Sequence, residues 1–234
     1  MEEENNIFKY KNNLRLIYVL LFIFFILFLS VHASEKVLLR YIKDSQLISY
    51  YSGVVENSIN NQPSADIKLA IKSQRLPQGE IKSVVQFVLS IQNKRFGPLE
   101  QTLEYDFMGN FKSKKDIDPN DKGRYIDLSV FFPHFPVDRI EEGTEWKELK
   151  ELSDFAGDNV DVIILNKIMK LNSEENTVKI KSKGLNNKKT YYILRDIVFD
   201  YKVGEIKSSK IRILNKETEK GQITSTMEIN KEKK

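Results

Sequence analysis

The chain contains no cysteine in its 234 residues. That absence excludes disulfides and thiolate metal sites, and with them the lipid-bearing cysteine that a bacterial lipoprotein needs. Histidine occurs only as His32 and His134, too few for a multi-histidine metal site. Glycine-rich phosphate cradles, nucleophile elbows and zinc-helix motifs are missing, and the scattered serines lack the histidine partners of an alternative triad. An excess of one charge is also lacking. The 37 basic residues face 33 acidic ones, for a net charge of +4, and the two signs are mixed along the chain. A nucleic-acid footprint concentrates lysine and arginine on one element, so no nucleic-acid partner is expected. No cofactor and no enzymatic activity are expected either.

Apolar residues are plentiful, 41% hydrophobic against 30% charged, enough for a sizeable core and against wholesale disorder. The one long apolar run, Leu16 to Leu29 (LIYVLLFIFFILFL), follows Lys9, Lys11 and Arg15 and precedes Ser30, Val31, His32 and Ala33. A basic flank, an apolar helix and small residues at Val31 and Ala33 have the three-part shape of a secretory signal, with cleavage expected after Ala33. Taken over residues 14–31, the same run approaches the ~20 residues that span a bilayer, so an uncleaved anchor is the alternative. Either way, lysine and arginine precede the segment and direct residues 34–234 out of the cytosol, to the periplasm or cell envelope. The expected organisation is 1–33 as signal or anchor, 34–230 as a β-rich extracytoplasmic domain and 231–234 as a disordered tail.

Past Ala33 the apolar residues recur with a period of two, the pattern of strands with one buried face. Strands are predicted at Asp66–Ile71, Ile81–Ile91, Tyr125–Phe131, Val160–Leu171, Thr177–Lys181, Thr190–Phe199, Glu205–Leu214 and Gln222–Ile229. Residues 37–55 read either as a helix or as two strands, with strand favoured from Leu47 to Val55. Turn signals between them, including Phe96–Pro98 and Met108–Asn110, suit hairpins between sequence neighbours. One short helix is predicted at Trp146–Phe155, where Trp146, Leu149 and Leu152 have helical spacing and Gly157 can end it. The pentapeptide GEIKS occurs at Gly79–Ser83 and again at Gly204–Ser208, with GNFKS at Gly109–Ser113. It reads as a recurrent hairpin start or as the trace of a duplicated meander, with copies over 66–132 and 160–229. The fold class is therefore mainly β: an antiparallel, barrel-like or strongly curved sheet of two related meanders, one short helix and an N-terminal hydrophobic helix.

The least generic stretch is FFPHFPVDRIEEGTEW, Phe131 to Trp146. Pro133 and Pro136 deny ladder hydrogen bonds, so this is an edge or a crossing. Phe132, Phe135 and Trp146 either form the lip of an apolar ligand site or plug the core where the meanders meet. Asp106 with Gly109, then Pro133, Pro136 and Val137, then Gly143 and Trp146, resemble the motif of a family of exported bacterial proteins of unknown function. The resemblance covers residues 50–146, with a weaker echo at 198–208. It implies similarity in shape to the half-open β-barrels of periplasmic lipoprotein and lipid carriers, and it carries no catalytic residues with it.

Binding is the expected role, of a lipid, an acyl chain or another apolar molecule, or of an envelope protein. The ligand would be lined by inward side chains of Val84–Ile91 and Val162–Leu165, here Val84, Phe87, Leu89, Val162 and Ile164, together with Phe132, Phe135 and Trp146. The rival is a structural or assembly protein with a filled core. An envelope hydrolase would need two converging acids, or His134 with an acid such as Asp138. Asp116, Asp118 and Asp121, or Asp158 with Asp161, could hold a hard cation, but a solvated turn explains them better.

Overall fold

A computed structural model describes residues 35–41, 47–57, 64–115, 128–153, 159–215 and 223–232. The apolar run at 16–29, the cleavage position after Ala33 and the acidic stretch 116–121 lie outside these residues. Among the described residues no helix is long and apolar enough to cross a membrane.

Alternation of side chains dictates the architecture. In Ala65–Arg75 the residues Ala65, Ile67, Leu69, Ile71 and Ser73 are buried, while Asp66, Lys68 and Lys72 face solvent. Such a segment can bury its apolar half only on one side of a sheet. The sheet is built from eleven strands: β1 Leu47–Asn57, β2 Ala65–Arg75, β3 Ile81–Ile91, β4 Lys94–Tyr105, β5 Phe111–Lys115, β6 Glu145–Ser153, β7 Asn159–Asn172, β8 Thr177–Asn186, β9 Tyr191–Asp200, β10 Glu205–Asn215 and β11 Ile223–Lys231. They form one antiparallel sheet in the order β5-β4-β3-β2-β1-β11-β10-β9-β8-β7-β6. Two meanders, β1–β5 and β6–β11, are thus joined by the pairing of first strand with last, Tyr51 opposite Lys231 through Asn57 opposite Ser225. The final strand runs through Lys231, and the Glu232 N–H donates to Tyr50 O, so the ordered sheet reaches into the stretch expected to be tail.

The sheet is open, with β5 and β6 as its edges, and it is strongly curved. Along the sheet β4 and β9 are six spacings apart, about 29 Å if flat. Yet the Tyr41 ring lies 5.3 Å from Tyr105 of β4 and 5.5 Å from Phe199 of β9. The edges also approach, for Lys150 Nζ of β6 sits 5.0 Å above the Phe111 ring of β5. Two extended pieces occupy the concavity. Residues 35–41 are held by the Val37–Ile140 bridge and by the Tyr41 N–H to Phe107 O, and residues 128–140 enter as a single 3-10 turn, Leu128–Phe131, followed by the proline segment.

Four expectations need correction. The short helix at Trp146–Phe155 is strand β6: Trp146, Glu148, Lys150 and Leu152 point inward, while Leu149, essential to the helical spacing, faces solvent. Charge at two inward positions concealed the period of two. The predicted strand Tyr125–Phe131 is a 3-10 turn where described, because Leu128, Ser129, Val130 and Phe131 are all buried, which a strand with one solvent face cannot achieve. Phe96–Pro98 is no turn but lies within β4. The reversal occurs earlier, at Gln92 and Asn93 with φ of 47° and 66°, a left-handed pair suited to a tight hairpin. β5 follows the Met108–Asn110 turn as an additional short strand. The GxxKS glycines Gly79, Gly109 and Gly204 all have φ between 75° and 88° and lie one or two residues before β3, β5 and β10. The repeated pentapeptide marks hairpin starts.

Candidate functional site

The concave face of β6–β9 carries a polar row among its apolar residues. Register places Trp146 opposite Asn166, Asn166 opposite Ser182 and Ser182 opposite Arg195. Arg195 has no contact with water. Its Nη2 donates to Asn166 Oδ1 at 2.9 Å and to Glu148 Oε1, and its Nη1 donates to Val130 O at 3.2 Å. Ser182 Oγ donates to the same Asn166 oxygen at 2.6 Å, which fixes the orientation of the amide. Burial pushes the Glu148 carboxyl up. The Arg195 and Lys150 charges and the His134 N–H together outweigh that effect and hold the carboxyl below its usual value.

These charges hold the 130–134 backbone. Its groups cannot join the sheet ladder, so side chains must satisfy them. Arg195 reaches Val130 O, Lys150 Nζ reaches Phe132 O, Tyr41 OH donates to Pro133 O at 3.0 Å, the His134 N–H donates to Glu148 Oε2 at 2.5 Å and Trp146 Nε1 donates to His134 O at 2.6 Å. The motif residues converge on the same spot. Asp106 Oδ1 accepts the Met108 and Asn110 N–H groups at 2.8 and 2.9 Å, shaping a turn whose Gly109 lies against Pro133, and the Phe135 N–H donates to Met108 O at 2.7 Å. A Cβ on Gly109 would fall 2.5 Å from Pro133 O.

Two further polar clusters stiffen the other half. Ser73, Ser83 and Tyr105 form a hydroxyl chain at 2.6 and 2.8 Å, with burial pushing the Tyr105 phenol up to about 12 despite the bonds from Ser83 and Ser73. Glu205 of β10 meets Lys231 of β11 and accepts from Ser49 Oγ of β1 at 2.8 Å, while Tyr51 OH donates to Ile206 O at 2.9 Å. Both clusters tie neighbouring strands around the β1–β11 junction or the β2–β4 wall.

Of the residues expected to line a ligand site, Phe87, Val162 and Ile164 are buried on the concave face, and Leu89 is half-buried against the core. Val84 is on the opposite face, because Ile81 begins β3 pointing inward and the alternation then turns Ser83, Val85 and Phe87 inward. Phe132 and Phe135 do not form a lip. They fill the interior, packed with Tyr41 at ring distances of 6.0 and 4.9 Å, and Phe135 also touches Phe199 at 4.6 Å. Trp146 is half-buried and anchors the His134 carbonyl. Between this filling and β1–β3, β10 and β11 a small apolar void remains, about 10 Å³, lined by Tyr51, Leu69, Val85, Phe131, Phe132 and Ile206 among others. His134 uses its backbone groups to hold the segment, and Asp138 is exposed. Among the described residues no three histidine, cysteine, aspartate or glutamate side chains are grouped to hold a metal.

The sequence reading missed Glu148, Lys150, Asn166 and Arg195. Arg195 had a legible signal: it shares parity with Tyr191, Ile193, Ile197 and Phe199, and an arginine at a core position requires a carboxylate.

No family model matches the chain, and no curated protein matches it. Among solved structures it is similar to a DUF1329 family protein from Desulfovibrio piger, at 12% identity over 80% of this chain and 85% of that one, with a TM-score of 0.26. It is also similar to a putative outer membrane lipoprotein-sorting protein domain from Vibrio parahaemolyticus, at 13% identity over 80% and 83% of the two chains, with a TM-score of 0.25.

Proposed function

We propose that this chain is a non-enzymatic, extracytoplasmic domain of the cell envelope that binds through its surface, with its curved sheet filled by its own chain. The observation that carries this reading is the packing of Phe131, Phe132 and Phe135 into the concavity; the void described beside them holds about 10 Å³, where a small-molecule ligand needs at least ~300 Å³. Export rests on the apolar run Leu16–Leu29 behind Lys9, Lys11 and Arg15. Mass spectrometry of the protein gently extracted from its native envelope tests both parts. The expected result is export, with a mature N-terminus at Ser34 or a membrane-held intact chain, and no lipid at one per chain. A stoichiometric lipid overturns the filled core, and recovery from the cytosol overturns export.

A carrier of an apolar molecule is the second reading, and one asymmetry favours it. The side-chain hydrogen bonds to the 130–134 backbone come from β6, β9 and Tyr41. The side of Phe131 and Phe132 toward β1–β3 is apolar, with the void in it. An acyl chain could part this seam without breaking one of those hydrogen bonds, displacing the Phe131 and Phe132 rings away from β1–β3. Burial of apolar area, roughly 25 cal/mol per Å², would be the driving force.

A further inference from the structure

The convex face of the second meander is ordered into three cross-strand rows of different character. The first row reads Glu145, Lys167, Lys181, Asp196, Lys210 and Glu228 in direct register from β6 to β11. Its lysines are all matched: Lys167 with Glu145 at 2.7 Å, Lys181 with Asp196 at 3.9 Å and Lys210 with Glu228 at 3.0 Å. One step along the strands the row reads Lys147, Leu165, Lys183, Leu194 and Arg212. Here each cation lies beside leucine, and none of the three has a carboxylate partner among the described residues. The third row is apolar from β6 to β10: Leu149, Ile163, Leu185, Tyr192 and Leu214. Leu149 is 73% exposed, Ile163 and Leu194 47% each and Leu165 42%.

An apolar band about 19 Å long by strand spacing is bordered by cations without a carboxylate partner among the described residues, while every lysine one row away is matched. Anions from outside complement that pattern. We propose that this face docks on an anionic lipid bilayer, with Leu149 and Ile163 entering the interface and Lys147, Lys183 and Arg212 at the headgroup phosphates. Lys188 and Lys189 in the β8–β9 turn lie at the same end of the strands, and Glu151 opposite Asp161 supplies the acidic corner there. A continuous apolar row with cations along one side suits a laterally uniform surface of acyl chains under phosphates. The docking does not depend on whether the interior takes a ligand.

The absence of cysteine supplies the test. The full chain carrying L149C has a single thiol, to which an environment-sensitive fluorophore is attached. K68C, on the outward face of β2 in the first meander, is the control. Vesicles of phosphatidylcholine with and without about 30% phosphatidylglycerol are the probe surface. Because the readout is the local environment of one position, it distinguishes docking of this face from attachment through residues 14–31. The L149C label is expected to enter an apolar environment on the anionic vesicles alone and to leave it at about 0.5 M salt, while the K68C label stays in water. K147Q/K183Q/R212Q should lower the docked-to-undocked ratio about five-fold per charge, roughly 100-fold together. K167Q/K181Q/K210Q in the matched row should leave it within two-fold or so. All six positions are exposed, and an unchanged far-ultraviolet dichroism spectrum verifies folding. An L149C label that stays in water on anionic vesicles overturns the proposal, as it would if this face served a protein partner. So does one that enters both vesicle types equally or ignores the triple substitution.

Discussion

Arg195 and Glu148 sit on strands separated by two others, β9 and β6, yet the guanidinium and carboxylate meet with neither side chain in contact with water. Curvature makes the meeting possible, and the ends of both groups are used to hold a third piece of chain, Val130 O by Arg195 and His134 N by Glu148. The ion pair is thus a joint between the sheet and its filling.

Removing one partner should expose that role. R195M strands the Glu148 carboxylate in the core and is expected to cost about 3–5 kcal/mol, the range for breaking a buried pair. The double variant R195M/E148L, which removes both charges, should recover part of the loss. Urea denaturation of the three proteins measures it, and equal losses in single and double variants would show that the pair itself is unimportant.

The same carboxylate predicts acid behaviour. Its folded value lies below the ordinary 4.5, so its contribution is present above the unfolded value and is lost as pH falls through the folded one. The wild type should therefore lose stability below about pH 4.5 more steeply than E148Q. Urea midpoints from about pH 7 down to about pH 3 would test this, and parallel curves would contradict it.

Tyr105 acts at the other end of the scale. Its folded phenol, up at about 12, stays neutral after the unfolded one, near 10, has ionised. Stability from this group is complete below pH 10 or so and lost as pH rises through about 12. Y105F should flatten that alkaline loss while sacrificing the hydrogen bond with Ser83, at a cost of about 1 kcal/mol at neutral pH.

The GxxKS glycines separate backbone strain from crowding. Gly79 and Gly109 have φ of 85° and 88°, but a Cβ on Gly79 has nothing within 4 Å and one on Gly109 has Pro133 O at 2.5 Å. G79A should cost only the left-handed term, about 1 kcal/mol. G109A should cost clearly more and disturb the 130–134 segment. Thermal melts rank the pair, and an equal cost would mean that the Asp106–Gly109 turn yields freely.

Emptying the filling tests the interior. F132A removes a ring packed among Tyr41, Tyr105 and Phe111 and should cost about 3–5 kcal/mol. If an acyl chain can occupy the seam, the variant should bind an apolar fluorophore that the wild type excludes. A folded F132A that also excludes it counts against the carrier reading.

Strands with a clean period of two were legible in the sequence. Ile81–Ile91 and Glu205–Leu214 needed only alternation and a turn glycine. β6 was not, because Glu148 and Lys150 occupy positions where alternation demands apolar residues, and only a partner strand three places away, carrying Arg195, makes that tolerable. The segment FFPHFP was legible as irregular from its prolines, and its phenylalanines fit a core plug as well as a ligand lip. That plug outcome depends on the Tyr41 OH and the Lys150 and Trp146 donors, which are distant in sequence or assigned to a helix. The pairing of β1 with β11, across almost the whole chain, left no local mark.

The approach of Lys150 to Phe111 bears on the two free edges of the eleven-stranded sheet. An open sheet offers two unpaired backbone edges, and each is a template for adding strands from another copy. Here one edge strand is five residues long and carries three lysines, FKSKK. The other carries the Pro133 segment over its concave face, held through Lys150 and Trp146. A cation above an aromatic ring brings these edges together without the backbone pairing that would close the sheet.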